Sequence, residues 1–164
     1  MDINELYNAS KLLANRVQQE RPNAAADEGA ALCLIITDRD EIFSGVTGVK
    51  VNGNSVETVC AETNAIMSMI VANQVRAKQL ITIAFADYSV CVPCDKCIDL
   101  LYRASASNAA CQIVVSPDSF TTAESIRNGR TAPIHMPHAP EAAPIAPVTP
   151  DAAIAPVPAP AADV

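Results

Sequence analysis

Histidine is missing from the first 130 residues, tryptophan is absent altogether, and aromatic residues make up only 4 % of the chain. Without imidazole, chemistry near neutral pH in those 130 residues cannot use histidine as base, nucleophile or metal ligand, so attention moves to cysteine and carboxylate. Lysine and arginine are missing from residues 131–164, which hold nine of the twelve prolines, eleven alanines, three acids (Glu141, Asp151, Asp163) and both histidines, His135 and His138. Proline removes backbone donors and fixes φ, and the segment has no aromatic residue, so it cannot build a core. It reads as a disordered Pro/Ala-rich tail, partly in polyproline II conformation. Long apolar runs are lacking as well. The longest uncharged stretches, residues 104–117 and 63–75, reach about 14 residues, short of the roughly 20 that cross a bilayer. The N-terminal Met-Asp-Ile-Asn-Glu lacks the basic start of a secretory signal. A cytoplasmic location is expected, where six cysteines serve as ligands, nucleophiles or core residues rather than disulfides.

What is present divides at residue 130. Residues 1–130 are the size of one domain with a real core, which excludes two domains. The net charge of −7 splits into −3 for the tail and −4 for the domain, where 11 Lys and Arg face 15 Asp and Glu. A surface of that sign argues against nucleic acid as the main partner and leaves a small free substrate unaffected.

The periodicities give an order α-β-β-α-β-α-β-α. Ile3, Leu6, Tyr7, Leu13 and Val17 recur at helical spacing up to Arg21-Pro22. Residues 30–37 and 41–46 read as a hairpin around Asp38-Arg39-Asp40, and Cys33 within it as a core residue. Residues 47–58, broken by Gly48, Gly53 and Asn54, are expected to form a loop. Residues 59–78 then read as one long helix, apolar on most sides, with Ile66, Met67, Met69 and Ile70 in the core. A strand over 80–86, a helix over 94–106, a strand over 112–115 and a helix or turn over 120–127 complete the domain. Crossover helices between the later strands predict an α/β fold, a three-layer sandwich with a mixed sheet and helices on both faces.

Two short motifs carry chemistry. Cys60-Ala61-Glu62 and Pro93-Cys94-Asp95-Lys96-Cys97 each open a helix, with 33 residues between Cys60 and Cys94. A thiol in a first helical turn faces the positive end of the helix dipole, which favours the thiolate that zinc requires, and Cys94 and Cys97 share a face at i, i+3. Three thiolates can thus converge from two helix starts and leave a fourth zinc position open, as catalytic zinc sites do. Glu62, two residues after Cys60, can lie beside the metal without being a ligand and shuttle protons during hydroxide attack on an amidine-like carbon, delivering them to the ring nitrogen and the leaving ammonia. Cys91 is an alternative fourth ligand that would close the site. Another reading makes Cys94 and Cys97 a redox pair near a buried Cys60. Cys111 is expected in the core or at a subunit interface.

Together these motifs resemble the zinc-dependent cytidine deaminase superfamily, and most closely its small branch, the homotetrameric cytidine deaminases and blasticidin S deaminase. The resemblance spans roughly residues 6–126. It implies Zn²⁺ as cofactor, Cys60, Cys94 and Cys97 as metal ligands, Glu62 as catalytic proton shuttle, a free nucleoside or analogue as substrate, and a homotetramer or homodimer. Two departures stand out. Thr47 and Val49 occupy the places of the asparagine and glutamate that clamp a ribose in the family, with Asn52, Asn54 and Glu57 as nearby substitutes. Thr63 and Ile98 stand where the family's arginines offset the charge of three thiolates, which leaves Lys96 and the helix dipoles as sources of positive potential. Three functions follow: a deaminase of cytidine or deoxycytidine type, a deaminase of a non-ribose amino-heterocycle such as blasticidin S, or a zinc-bound noncatalytic scaffold.

Overall fold

Seven consecutive buried residues, Ala31–Thr37, form the strand around which the chain is organised in the computed structural model. The structure describes residues 1–25, 29–52, 55–129 and 134–135. Alternate side chains of this strand, β1, enter two separate cores. Ala31, Cys33 and Ile35 face one, and Leu32, Leu34 and Ile36 the other, as the two-residue period of a strand buried on both faces requires.

The elements run α1 (Ile3–Glu20), β1, β2 (Ile42–Val46), β3 (Gly48–Asn52), β4 (Ser55–Val59), α2 (Ala61–Val71), β5 (Ala77–Ala84), β6 (Val90–Cys91), α3 (Asp95–Ala104), β7 (Gln112–Ser116), β8 (Ser119–Thr122), α4 (Ala123–Arg127) and β9 (Ile134–His135). The main sheet has the order β2-β1-β5-β7-β8-β9, with β6 beside β5. Only β5 and β7 run parallel, and the connection between them carries α3; the other described pairs are antiparallel. The mixed sheet with helices on both faces is as expected. α1 covers one face through Ile3, Leu6 and Ala14, while α2, α3 and α4 cover the other through Ile66, Met69, Ile98, Leu101 and Ala123. α1 starts where Asp2 and Glu5 form a capping box, with Ile3 N donating to Asp2 Oδ1 at 2.6 Å and Asp2 N to Glu5 Oε2 at 3.0 Å.

Three stretches differ from the sequence expectation. Residues 47–58 are an antiparallel pair, β3 with β4, in the register Gly48↔Val59 to Asn52↔Ser55. The Gly53-Asn54 dipeptide joins two alternating valine-containing runs, the pattern of a hairpin rather than of a loop. The long helix expected over 59–78 is α2 alone, followed by β5. Asn73, at φ +58°, ends it in a Schellman arrangement, with Gln74 N donating to Met69 O at 3.0 Å and Asn73 N to Ile70 O at 2.9 Å. Polar residues at 73, 74, 76, 78 and 79 interrupt the apolar pattern, and the buried apolar residues of 77–84 enter the two cores as a strand. Burial on α2 is confined to Ala61, Glu62, Ala65, Ile66 and Met69, so Met67, expected in the core, is exposed. Finally, the stretch 120–127 divides into β8 and the short α4.

Asn108, fully buried, ties these pieces together. Its Oδ1 accepts from Ala77 N at 2.8 Å, and its Nδ2 donates to Val75 O at 2.8 Å and Leu101 O at 2.9 Å. The side chain thereby fixes the start of β5 against the end of α3. Within the segment read as a tail, Ile134 pairs with Phe120 and His135 with Ser119; His138 and the rest of residues 136–164 lie outside the described residues. No helix among the described residues is long and apolar enough to cross a membrane.

Candidate zinc site

Both motifs arrive at helix starts by way of strands. β4 ends at Val59, and Cys60 is the N-cap of α2 in extended conformation (φ −60°, ψ 147°). Cys94 is the N-cap of α3 (φ −73°, ψ 163°), two residues after Val92 and directly after Pro93. From these two cap positions the Cys60 and Cys94 sulfurs turn towards a common centre. The sulfurs of Cys60, Cys94 and Cys97 all lie within 4.8 Å of one another, and those of Cys94 and Cys97 are 3.5 Å apart. Tetrahedral zinc with bonds of about 2.3 Å to sulfur holds its thiolates roughly 3.8 Å apart, so the spacing and the all-sulfur donor set fit zinc. Cysteine is partly exposed at 60, exposed at 94 and buried at 97. The cluster therefore opens towards solvent on one side.

The surroundings treat the three thiols differently. Burial pushes the Cys97 thiol far above its ordinary pKa, with the Thr63 hydroxyl working against the rise. Burial also raises Cys60, partly offset by its contact with the Cys97 thiol. At Cys94 burial is outweighed: the Cys97 and Lys96 backbone amides, together with the neighbouring thiols, bring its pKa below the usual value. These amides belong to the first turn of α3, which is the helix-dipole effect expressed by individual N–H groups.

Glu62 is buried, 6 % exposed, and its Oε2 is 3.9 Å from Cys97 Sγ. The carboxylate thus sits beside the sulfurs, in the first turn of α2. Behind it, α2 is held against β2 at very close range. Asn64 Nδ2 donates to Val46 O at 2.8 Å, and Gly45 leaves room for the α2 backbone that a Cβ would not.

The remaining candidates fall elsewhere. Cys91, on β6, donates to Ser89 O at 3.9 Å and lies outside the three-sulfur cluster. Cys33 and Cys111 are core residues, and burial pushes the Cys111 thiol up to about 12. The Lys96 side chain is exposed on the outer face of α3, where it lines a concavity of about 320 Å³ with Asp99, Leu100 and Arg103, so only its backbone amide serves the sulfurs. Thr47 is occupied structurally: its Oγ1 accepts from Ala31 N at 2.9 Å and donates to Ala31 O at 3.4 Å. Val49 is exposed on β3 and Glu57 on β4, while Asn54 lies outside the described residues. Ile98 is buried in the core, whereas Thr63 reaches the site, its Oγ1 being 3.5 Å from Cys97 Sγ. Gly45, Asn64 and Asn108 carry no signal in the sequence motifs, since their roles depend on contacts between distant elements.

The fold recurs in solved structures. Cytidine deaminase from Bacillus anthracis is 18 % identical and superposes with a TM-score of 0.58, covering 77 % of this chain and 86 % of that one. Cytidine deaminase from Mycobacterium tuberculosis gives 17 % identity and a TM-score of 0.53 over 69 % and 89 % of the two chains. That from Mycobacterium leprae gives 18 % and 0.53 over 69 % and 92 %. Among curated proteins, none matches this sequence. The model of the cytidine and deoxycytidylate deaminase zinc-binding region, however, matches residues 7–113, well over half of the chain and inclusive of all three clustered cysteines. The protein belongs to the cytidine and deoxycytidylate deaminase family of zinc-binding proteins.

Proposed function

We propose that this protein is a zinc-dependent aminohydrolase that releases ammonia from a free aminopyrimidine nucleoside of the cytidine or deoxycytidine type, or from an analogue of one. The observation that carries the reading is the placement of a buried carboxylate, Glu62, 3.9 Å from one sulfur of a three-cysteine cluster. Cys60, Cys94 and Cys97 are assigned as the metal ligands and Glu62 as the catalytic acid and base. Zinc held there supplies a Lewis acid able to make water nucleophilic near neutral pH. Glu62 Oε2, next to the cluster, would take one proton of the attacking water and give it to the ring nitrogen, then take the second proton from the newly added hydroxyl and give it to the amine, which departs as ammonia. Residues 1–130 form the catalytic domain, and residues 131–164 an appended Pro/Ala-rich segment. The net charge of −7 supports a small free substrate over a nucleic acid. The family resemblance supports a homotetramer or homodimer, testable by sedimentation.

A second reading narrows the substrate to a non-ribose compound of the blasticidin S type. It is favoured by the engagement of the Thr47 hydroxyl with Ala31 and by the aliphatic Val49, which together offer no ribose clamp.

Ammonia release from cytidine, deoxycytidine, blasticidin S and other amino-heterocycles by the zinc-loaded protein separates these readings. Glu62→Gln should keep zinc and lower turnover by about 10²–10⁴-fold. Retained turnover in that variant would sink the mechanism, and zinc binding without release from any substrate would favour the noncatalytic scaffold.

A further inference from the structure

Cys97 is the most deeply buried of the three clustered cysteines, 2 % exposed, so water has little access to its sulfur. The Cys60 and Cys94 thiols face that sulfur, the latter at 3.5 Å, and so does the Thr63 hydroxyl, also at 3.5 Å. Once all three cysteines bind a metal as thiolates, Cys60 and Cys94 have no proton left and their S–H···S contacts cease to exist. The Thr63 contact survives, because a hydroxyl rotates freely to donate and a thiolate only accepts.

We propose that Thr63 is a positioning residue of the metal site, its hydroxyl donating to the Cys97 sulfur and drawing off part of the negative charge that three thiolates place on one Zn²⁺. The inference rests on the assignment of Cys97 as a zinc ligand. Thr63 stands in the first turn of α2, three residues after Cys60, and Cys97 in the first turn of α3. The hydrogen bond therefore joins the two helix starts that supply the ligands, across 34 residues of chain, and sets the direction of the Cys97 sulfur lone pairs. The other position at which sequence resemblance places a compensating cation is Ile98, which is buried among Ala65, Ile66 and Leu101 and has no donor to give. Outer partners of this kind orient a ligand and hold its charge, and their loss commonly weakens metal binding by 10–100-fold.

The test is zinc affinity, measured by competition with a chromophoric chelator, in the wild type, Thr63→Val, which keeps the shape and removes the hydroxyl, and Thr63→Ser, which keeps the hydroxyl. Thr63→Val should weaken binding by about 10–100-fold, and Thr63→Ser should bind as the wild type does. In the cobalt-substituted proteins the sulfur-to-metal charge-transfer band should move in Thr63→Val and not in Thr63→Ser. Melting of the metal-free variants shows whether either has simply lost its fold; if Thr63→Val has, the serine variant and Thr63→Ala decide. Wild-type affinity in Thr63→Val with an unmoved band overturns the role of Thr63 while leaving the site intact. A wild type that binds no stoichiometric zinc, or a Cys97→Ser variant that binds it undiminished, overturns the ligand assignment itself.

Discussion

Gly45 of β2 and Ala61 of α2 meet backbone to backbone: a Cβ on Gly45 would overlap the Ala61 carbonyl oxygen and, four residues along the same helix, the Ala65 amide nitrogen. Both obstacles are main chain, so neither can swing aside as a side chain would. Gly45→Ala must therefore push α2 away from the sheet, and α2 carries Glu62 with Cys60 at its cap. Overpacking of this kind costs about 1–3 kcal/mol. The expected result is a lower melting temperature together with weaker zinc binding, read by thermal unfolding and chelator competition. A variant with wild-type stability and wild-type zinc affinity would show that the helix position is not held by this contact.

Asn108 makes a different kind of demand. Its replacement by alanine leaves Ala77 N and Val75 O without their described partner and takes one of two donors from Leu101 O, which also accepts from Ser105 N. Orphaned buried groups cost about 1–3 kcal/mol each, so Asn108→Ala should lose roughly 2 kcal/mol or more in urea unfolding. Asn108→Asp keeps the acceptor for Ala77 and loses both donors, and it should also be strongly destabilised. Near-neutral stability of both variants would mean that relaxation or water satisfies these groups.

These two residues mark where the sequence becomes hard to read. β1 is legible because an unbroken apolar run can only be buried on both faces. The three cysteines are legible because their motifs sit at helix starts, and local spacing already places a thiol there. The β3–β4 pair is hidden by its Gly53-Asn54 link, which breaks one pattern and completes another. The end of α2 is hidden because its stop is Asn73 in the left-handed region, with no glycine or proline beside it, and the mixed polar and apolar residues that follow read equally as a further helical turn. Thr63 shows in the sequence only as a missing arginine; its contact with Cys97 depends on how two distant helices pack. Gly45 and Asn108 act wholly through such distant contacts.

The position of Cys91 distinguishes an open site from a closed one. Its sulfur faces Ser89 O and stands apart from the other three, so Cys91→Ser should keep one zinc per chain, whereas Cys94→Ser should bind markedly less. Metal content by atomic emission after gel filtration reads both. Loss of zinc from Cys91→Ser would make this residue a fourth ligand and leave no place for a water.

Zinc binding should itself release protons. A thiol binds zinc as thiolate. Cys60 and Cys97 are held above the ordinary thiol pKa chiefly by burial, while Cys94 lies below it. At pH 7 the metal-free protein therefore carries protons on at least Cys60 and Cys97, and these must leave as the metal enters. A group that must lose a proton to bind makes affinity rise with pH for as long as the pH stays below its pKa. Affinity should accordingly climb between pH 6 and 8, with about two to three protons released per zinc. Calorimetric titration in two buffers of different ionisation enthalpy counts those protons directly. An affinity independent of pH over that range, with no buffer dependence of the heat, would be incompatible with three thiol ligands.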